Sequence, residues 1–335
     1  MKTNDHKIYP NTLAAIGNTP LIQLMNICPE YPINIYGKME SFNPGGSIKD
    51  RTANNILLDA INQGKITRET TVIESSSGNM AIGLAQACLV YGLKLIVVVD
   101  PLVNKHTLKI LKAYGATIDQ VAEEKNGSYL NARLHRVQHL LQSTPKSFWP
   151  NQYANQANPA AHFNTMNEIA TALNSEVDYL FAATSTCGTL MGCANYIEQH
   201  QLKTKIIAVD AEGSLIFSEQ SGKRLIPGHG AGRPSQLLER NKVDEVIHIN
   251  DYQCIMGCHQ LLNREAILAG GSSGAVVSAL QTLAPTLPAG SNCALILCDR
   301  GERYLDTIYN PDWVNQHFKN TADIYRQTTL EHQWA

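Results

Sequence analysis

The residues with the best prospects for chemistry are one lysine and three turns rich in Gly and Ser. Lys49 stands in Ser41-Phe42-Asn43-Pro44-Gly45-Gly46-Ser47-Ile48-Lys49-Asp50-Arg51. The Pro-Gly-Gly-Ser turn is expected to run into an amphipathic helix, because Ile48, Thr52, Ile56, Leu57, Ala60 and Ile61 recur at helical spacing. A lysine at such a start faces unpaired backbone N–H groups and the positive end of the helix dipole. That disfavours its ammonium form and favours an amine able to make a Schiff base. Read alone, a lysine beside Asp and Arg is usually an ordinary solvated charge.

The turns give that lysine company. Glu74-Ser75-Ser76-Ser77-Gly78-Asn79-Met80 offers hydroxyls and amides to a carboxylate, and Asn79 can donate to a ring oxygen. Thr184-Ser185-Thr186-Cys187-Gly188-Thr189 closes one expected strand and opens a helix, where free N–H groups bind anions. It lacks the Lys of a P-loop and the GxGxxG of a dinucleotide fold, so a phosphate monoester fits it better than a nucleotide. Ala269-Gly270-Gly271-Ser272-Ser273-Gly274-Ala275 opens another helix. Each turn alone is also a helix cap; their combination is what informs.

The elements around these turns alternate. Strands at 33–39, 71–74, 93–99 and 117–121 interleave with helices at 78–91, 105–114 and 129–141. After a break holding Pro145 and Pro150, strands are expected at 179–183, 206–210, 245–249 and 294–297, with helices at 160–173, 189–200, 252–265 and 273–283. Short, nearly continuous Val/Ile/Leu strands between helices mark an α/β fold with a parallel sheet covered on both faces. Residues 212–235 form a long connection, and the chain from about 315 on reads as a loosely attached tail.

Composition narrows the partners. With 335 residues, a net charge of −2, 44% hydrophobic and 17% charged residues, the chain reads as a soluble α/β protein that binds small molecules. No basic excess suggests nucleic acid, and no apolar run approaches the ~20 residues of a membrane span, so a cytoplasmic protein is expected. The eight cysteines form no CxxC pair or zinc-spaced cluster, so reduced structural thiols and no metal site are expected.

Taken in order, 43–51, Ser77-Gly78-Asn79, 152–159, the Ser185–Thr189 loop, 270–274 and Asp299-Arg300-Gly301-Glu302-Arg303-Tyr304 resemble the cysteine synthase and cystathionine β-synthase family. These are pyridoxal-phosphate enzymes of the tryptophan-synthase-β type, and the likeness runs from about Thr12 to Tyr304. It implies fold type II: two αβα domains with pyridoxal 5′-phosphate in the cleft between them. The large domain would hold 1–44 and 151–335, and a small mobile domain 45–150. Lys49 would hold the cofactor as an imine and move the substrate α-proton. Asn79 would bond the cofactor's 3′-oxygen, Ser185, Thr186, Cys187, Gly188 and Thr189 its phosphate, and Ser272 would face the pyridine nitrogen. Ser76, Ser77 and Gln152 would clamp the substrate carboxylate. A homodimer is also implied.

Departures from the sulfhydrylases point to another second substrate. Met80 stands where those enzymes have Thr, the phosphate loop reads Ser-Thr-Cys-Gly-Thr in place of Gly-Thr-Gly-Gly-Thr, and Gly271 replaces a frequent Ile. With 209–214 and 229–233, the pattern is similar to the branch that makes N-(2-amino-2-carboxyethyl)-L-glutamate for 2,3-diaminopropionate in siderophores and peptide antibiotics. That implies O-phospho-L-serine plus L-glutamate, through an aminoacrylate, with phosphate leaving. A cysteine or cystathionine synthase is the alternative. Two anionic substrates need cations, for which Arg133 is the first candidate and Arg233 the second; Tyr153 would offer a hydroxyl to the second substrate.

Overall fold

The structure, a computed structural model, describes residues 8–319 together with Thr321 and Ile324. Its strands form two sheets. The larger has six strands, β1 (Leu21–Gln23), β2 (Asn34–Met39), β7 (Tyr179–Ala183), β8 (Lys205–Ala211), β9 (Glu245–Ile249) and β10 (Asn292–Leu297), in the order β1-β2-β10-β7-β8-β9. Only the edge strand β1 is antiparallel to its neighbour. The smaller sheet is wholly parallel, in the order β5-β4-β3-β6, from β3 (Thr71–Ser75), β4 (Lys94–Val99), β5 (Thr117–Gln120) and β6 (Ser147–Phe148).

Nine helices are described: α1 (Lys49–Asn62), α2 (Asn79–Tyr91), α3 (Lys105–Ala113), α4 (Tyr129–Ser143), α5 (Ala157–Ala172), α6 (Gly188–Gln199), α7 (Asp251–Glu265), α8 (Gly271–Leu283) and α9 (Pro311–His317). Both faces of each sheet carry apolar clusters, as continuous Val/Ile/Leu strands require. On the larger sheet Phe181, Leu295 and Val277 pack on one side and Leu180, Ile296 and Leu190 on the other. On the smaller, Val72, Val97 and Leu84 oppose Ile73, Val98 and Val137. The result is a pair of αβα sandwiches. Leu13, near the N-terminus, packs into the cluster of the smaller sheet.

Several boundaries depart from the sequence reading for local reasons. Helix α5 begins at Ala157, ahead of Pro159, because a proline in the first turn gives up an N–H that has no helical partner there. Helix α8 begins at Gly271, which brings Ser272 into its first turn. Strand β6 went unread, since two residues show no alternation. The expected loose tail is corrected where residues are described: 311–317 form α9, and Val314 and Ile324, 0% and 1% exposed, lie in the main core. The rest of that tail lies outside the described residues.

One buried ionic network fixes α1 to its surroundings. Arg51 pairs with Glu40 and Glu168, both at 2.7 Å, and Lys38 pairs with Glu168 at 2.6 Å while donating to the Thr19 carbonyl. The guanidinium and ammonium hold the Glu168 carboxyl at about 2, against the desolvation that would raise it. Breaking such a network leaves a buried charge unpaired, so the first turn of α1 is held in place.

Candidate active site

The C-terminal ends of β3, β7 and β10 open onto one cleft of about 480 Å³, lined by Ser75, Ala183 and Cys298. Parallel sheets place ligands there because loops splay apart and helices begin with free N–H groups at that end. Every residue given a cofactor or substrate role from the sequence, except Arg233, lines this cleft: Lys49; Ser76, Ser77 and Asn79; Arg133; Gln152 and Tyr153; Ser185, Thr186, Cys187, Gly188 and Thr189; and Ser272.

Lys49 is the first residue of α1, and the turn before it is strapped to the end of β10. Ile48 N–H donates to the Cys298 carbonyl at 2.8 Å, and Arg300 N–H to the Gly46 carbonyl at 3.2 Å. Gly46 sits at φ +82°, a left-handed conformation that favours glycine. Burial pushes the Lys49 ammonium below its ordinary pKa, opposed by Cys298 and Cys187. Desolvation is thus the larger cause, where the sequence pointed to the helix terminus. Behind Lys49, His162 is wholly buried, with Nε2 2.9 Å from the Thr52 hydroxyl. Burial, then Lys49 and Arg51, hold its pKa well below normal, so the imidazole is neutral at pH 7.

The Ser185–Thr189 loop reaches the cleft as the start of α6. Cys187 takes a left-handed φ of +63° and its side chain does not cap the helix; the Gly188 N–H has only a long 3.5 Å contact to the Thr186 hydroxyl, which leaves the start of α6 suited to an anion. Asn158 braces the loop from behind, donating to the Gln152 carbonyl at 2.8 Å and the Thr186 hydroxyl at 3.1 Å. A Cβ on Gly188 would lie 2.0 Å from Asn158 Oδ1, so close packing demands glycine there.

Asn79 opens α2 and donates to Asp299 at 2.7 Å, while its carbonyl oxygen accepts from Arg303. Asp299 also accepts from Tyr304 at 2.6 Å, and burial raises its pKa. Ser272 lies in the first turn of α8 and lines the cleft beside Cys298. Arg133 is not a free cation, since its Nε lies 3.0 Å from the Asp100 carboxylate. Arg233 stands outside the lining and stacks its guanidinium 4.1 Å from the Tyr153 ring centroid.

Asn158, His162, Asp299 and Arg224 were passed over in the sequence. Asn158 and Asp299 lay within motifs already singled out; His162 and Arg224 carried no pattern that would have found them.

The profile of the pyridoxal-phosphate dependent enzyme family matches residues 12–299. Among solved structures, O-acetylserine dependent cystathionine beta-synthase from Helicobacter pylori is 31% identical, covering 91% of this chain and 100% of that one, with a TM-score of 0.85. Cysteine synthase from Entamoeba histolytica is 30% identical, covering 99% of each chain, with a TM-score of 0.86. O-ureido-L-serine synthase is 26% identical over 96% of this chain and 99% of that one, with a TM-score of 0.85. The residues present suit the cofactor: an uncapped helix start for a phosphate, an amine disfavoured as ammonium by burial, and a hydroxyl at the start of α8. By its sequence and its fold, the chain belongs to the pyridoxal-phosphate dependent enzyme family and is a transferase-type enzyme with pyridoxal 5′-phosphate as its cofactor.

Proposed function

We propose that this enzyme is a β-replacement synthase joining O-phospho-L-serine to L-glutamate, which yields N-(2-amino-2-carboxyethyl)-L-glutamate and phosphate. The observation that carries the reading is a guanidinium beyond the cofactor's needs: beside the start of α6 the cleft is lined by Arg224, which takes part in none of the ion pairs seen among the described residues, whereas the charge of Arg133 is balanced by Asp100. The start of α6 suffices for one phosphate, so a further cation suits an anionic substrate.

In this reading the start of α6 holds the cofactor phosphate, Ser272 meets the pyridine nitrogen and Asn79 the ring oxygen. When bound, pyridoxal phosphate withdraws electrons from the substrate Cα as its proton leaves. The Lys49 amine, disfavoured as ammonium by its burial, anchors the cofactor and then takes that proton at Nζ. A hydroxyl at the pyridine nitrogen makes the ring a weaker electron sink than an aspartate would, which favours loss of a β-substituent. Ser76, Ser77 and Gln152 hold the substrate carboxylate, and Arg133 and Tyr153 receive the second substrate. Residues 45–150 act as a small domain that closes over the cleft and excludes water. A cytoplasmic homodimer completes the reading.

A second reading, a cysteine or cystathionine synthase, draws support from the likeness to the Helicobacter and Entamoeba enzymes. Steady-state turnover decides between them. O-phosphoserine with glutamate is expected to exceed O-acetylserine with sulfide in kcat/KM; the reverse order would overturn the first reading.

A further inference from the structure

The connection between β8 and β9 supplies Arg224, Pro227, Gly228, Gly230, Ala231 and Gly232 to the cleft. Within it Arg224 is held in place but left without a counter-charge. The N–H groups of the next two residues, Leu225 and Ile226, donate to the Asp251 carboxylate at the start of α7, at 2.7 and 3.2 Å. The guanidinium itself donates through Nη1 to the His229 carbonyl at 3.1 Å, and its buried Nε has no hydrogen-bond partner. None of the ion pairs seen among the described residues involves it, whereas Arg133 is paired with Asp100.

Glycine is required beside Arg224 at position 230, which sits at φ +68° and where a Cβ would lie 2.7 Å from the Ala211 Cβ and 2.9 Å from Nη1; a Cβ on Gly232 would meet Nη2 at ordinary contact distance. A planar guanidinium anchored at one nitrogen keeps other N–H groups for an incoming anion, and its fork matches two oxygens of a carboxylate or phosphate. Leaving a donor in a partly buried cleft without an acceptor is costly, and an anionic ligand relieves that cost.

We propose that Arg224 is a specificity-determining residue that binds an anionic oxygen group of a substrate. Two sources share that chemistry: the distal carboxylate of an amino-acid nucleophile and the phosphate leaving group of O-phosphoserine. The assignment rests on reading the site as a β-replacement synthase.

The test compares the parent holoenzyme with Arg224→Gln and Arg224→Lys. Calorimetric titration with glutarate and with inorganic phosphate reads anion binding directly. Arg224→Gln is expected to weaken one of them about ten- to a hundredfold, the worth of a charge-assisted hydrogen bond, with partial recovery in Arg224→Lys. Two kinetic arms separate the sources. A fall in the ratio of kcat/KM for glutamate over glutamine assigns the nucleophile's carboxylate. Slower phosphate release from O-phosphoserine, in a single turnover without nucleophile, assigns the leaving group. Unchanged binding of both anions, with ratio and release both at parent values, overturns the proposal. Should Arg224→Gln fail to fold, Arg224→Lys carries the same readouts, because it keeps the charge and loses the fork. A parent enzyme that does not use glutamate overturns the glutamate reading alone, and the anion titrations still decide the role of Arg224.

Discussion

Two loops face the same cleft from different sheets, and they are braced very differently. The loop after β7 is tied at both Thr184 and Thr186. Thr184 donates its hydroxyl to Asp210 at 2.7 Å and its N–H to the Val209 carbonyl at 2.9 Å, and it accepts from Gly230 N–H at 2.7 Å. Ser235 donates to the Thr186 carbonyl at 2.6 Å, and Asn158 to the Thr186 hydroxyl. Behind it, both oxygens of Asp210 accept hydrogen bonds from the backbone, from Ala211 and Phe217 N–H groups. The loop after β3 is tied mainly at its ends. Glu74 behind it has one oxygen bonded to Trp149 and Ser75, but the other oxygen and the Ser75 hydroxyl have no partner. Its far end hangs on Asn79, which reaches across to Asp299 and Arg303. A firmly braced loop suits a ligand that stays, and a loosely braced one a ligand that comes and goes.

Removing Lys49 sharpens that contrast most. Lys49→Ala is expected to cut kcat/KM by at least about a thousandfold, through loss of a positioned base and of the nucleophilic amine. If the braced loop carries cofactor binding, the same variant should still take up pyridoxal phosphate, by equilibrium dialysis, with a much smaller loss. A variant that lost both together would shift the burden of binding from the loop to the lysine.

The next largest effect separates two glycines. A Cβ on Gly188 collides with Asn158, whereas one on Gly78 meets nothing within 4 Å. Gly188→Ala should therefore lower stability by about 1–3 kcal/mol and weaken cofactor binding, while Gly78→Ala changes both far less. Thermal unfolding and cofactor titration of the pair check this. Equal losses at the two sites would erase the distinction between the loops.

How much of this was legible depends on how local the cause is. Alternating strands and helices could be read because parallel strands buried on both faces are runs of Val, Ile and Leu, as in Leu95–Val99. Lys49 and the loops could be read because helix starts carry their own chemistry in adjacent residues. The pairing of Arg133 with Asp100 could not, since it joins the end of β4 to the middle of α4 through tertiary packing alone. Arg224 was hidden for a related reason. Its segment has no periodicity, and what makes it distinctive is the missing carboxylate, a property of its surroundings. Asn158 sat within a quoted motif, yet its part as a brace needs Thr186 and Gln152 folded against it.

The smallest predicted effect concerns the acids behind the two loops. Burial pushes the Glu74 carboxyl up from 4.5 to about 7, against hydrogen bonds from Trp149 and from the Ser75 backbone. Between those two pH values the folded protein keeps a proton that the unfolded chain has lost. The stability Glu74 contributes is therefore greatest below pH 4.5 and is lost as pH rises to about 7. Glu74→Gln removes this titration. From pH 4.5 to pH 8 the parent should lose at least about 1.4 kcal/mol relative to the variant, the worth of one pKa unit, as read by urea unfolding across the range. Asp210→Asn is the matching probe: its amide nitrogen cannot accept the backbone bond that the lost oxygen did, so it should destabilise the fold. If Glu74→Gln behaves like Asp210→Asn, losing stability at pH 8, then the acid behind the Ser75 loop is as firmly bonded as its counterpart and the difference in bracing disappears.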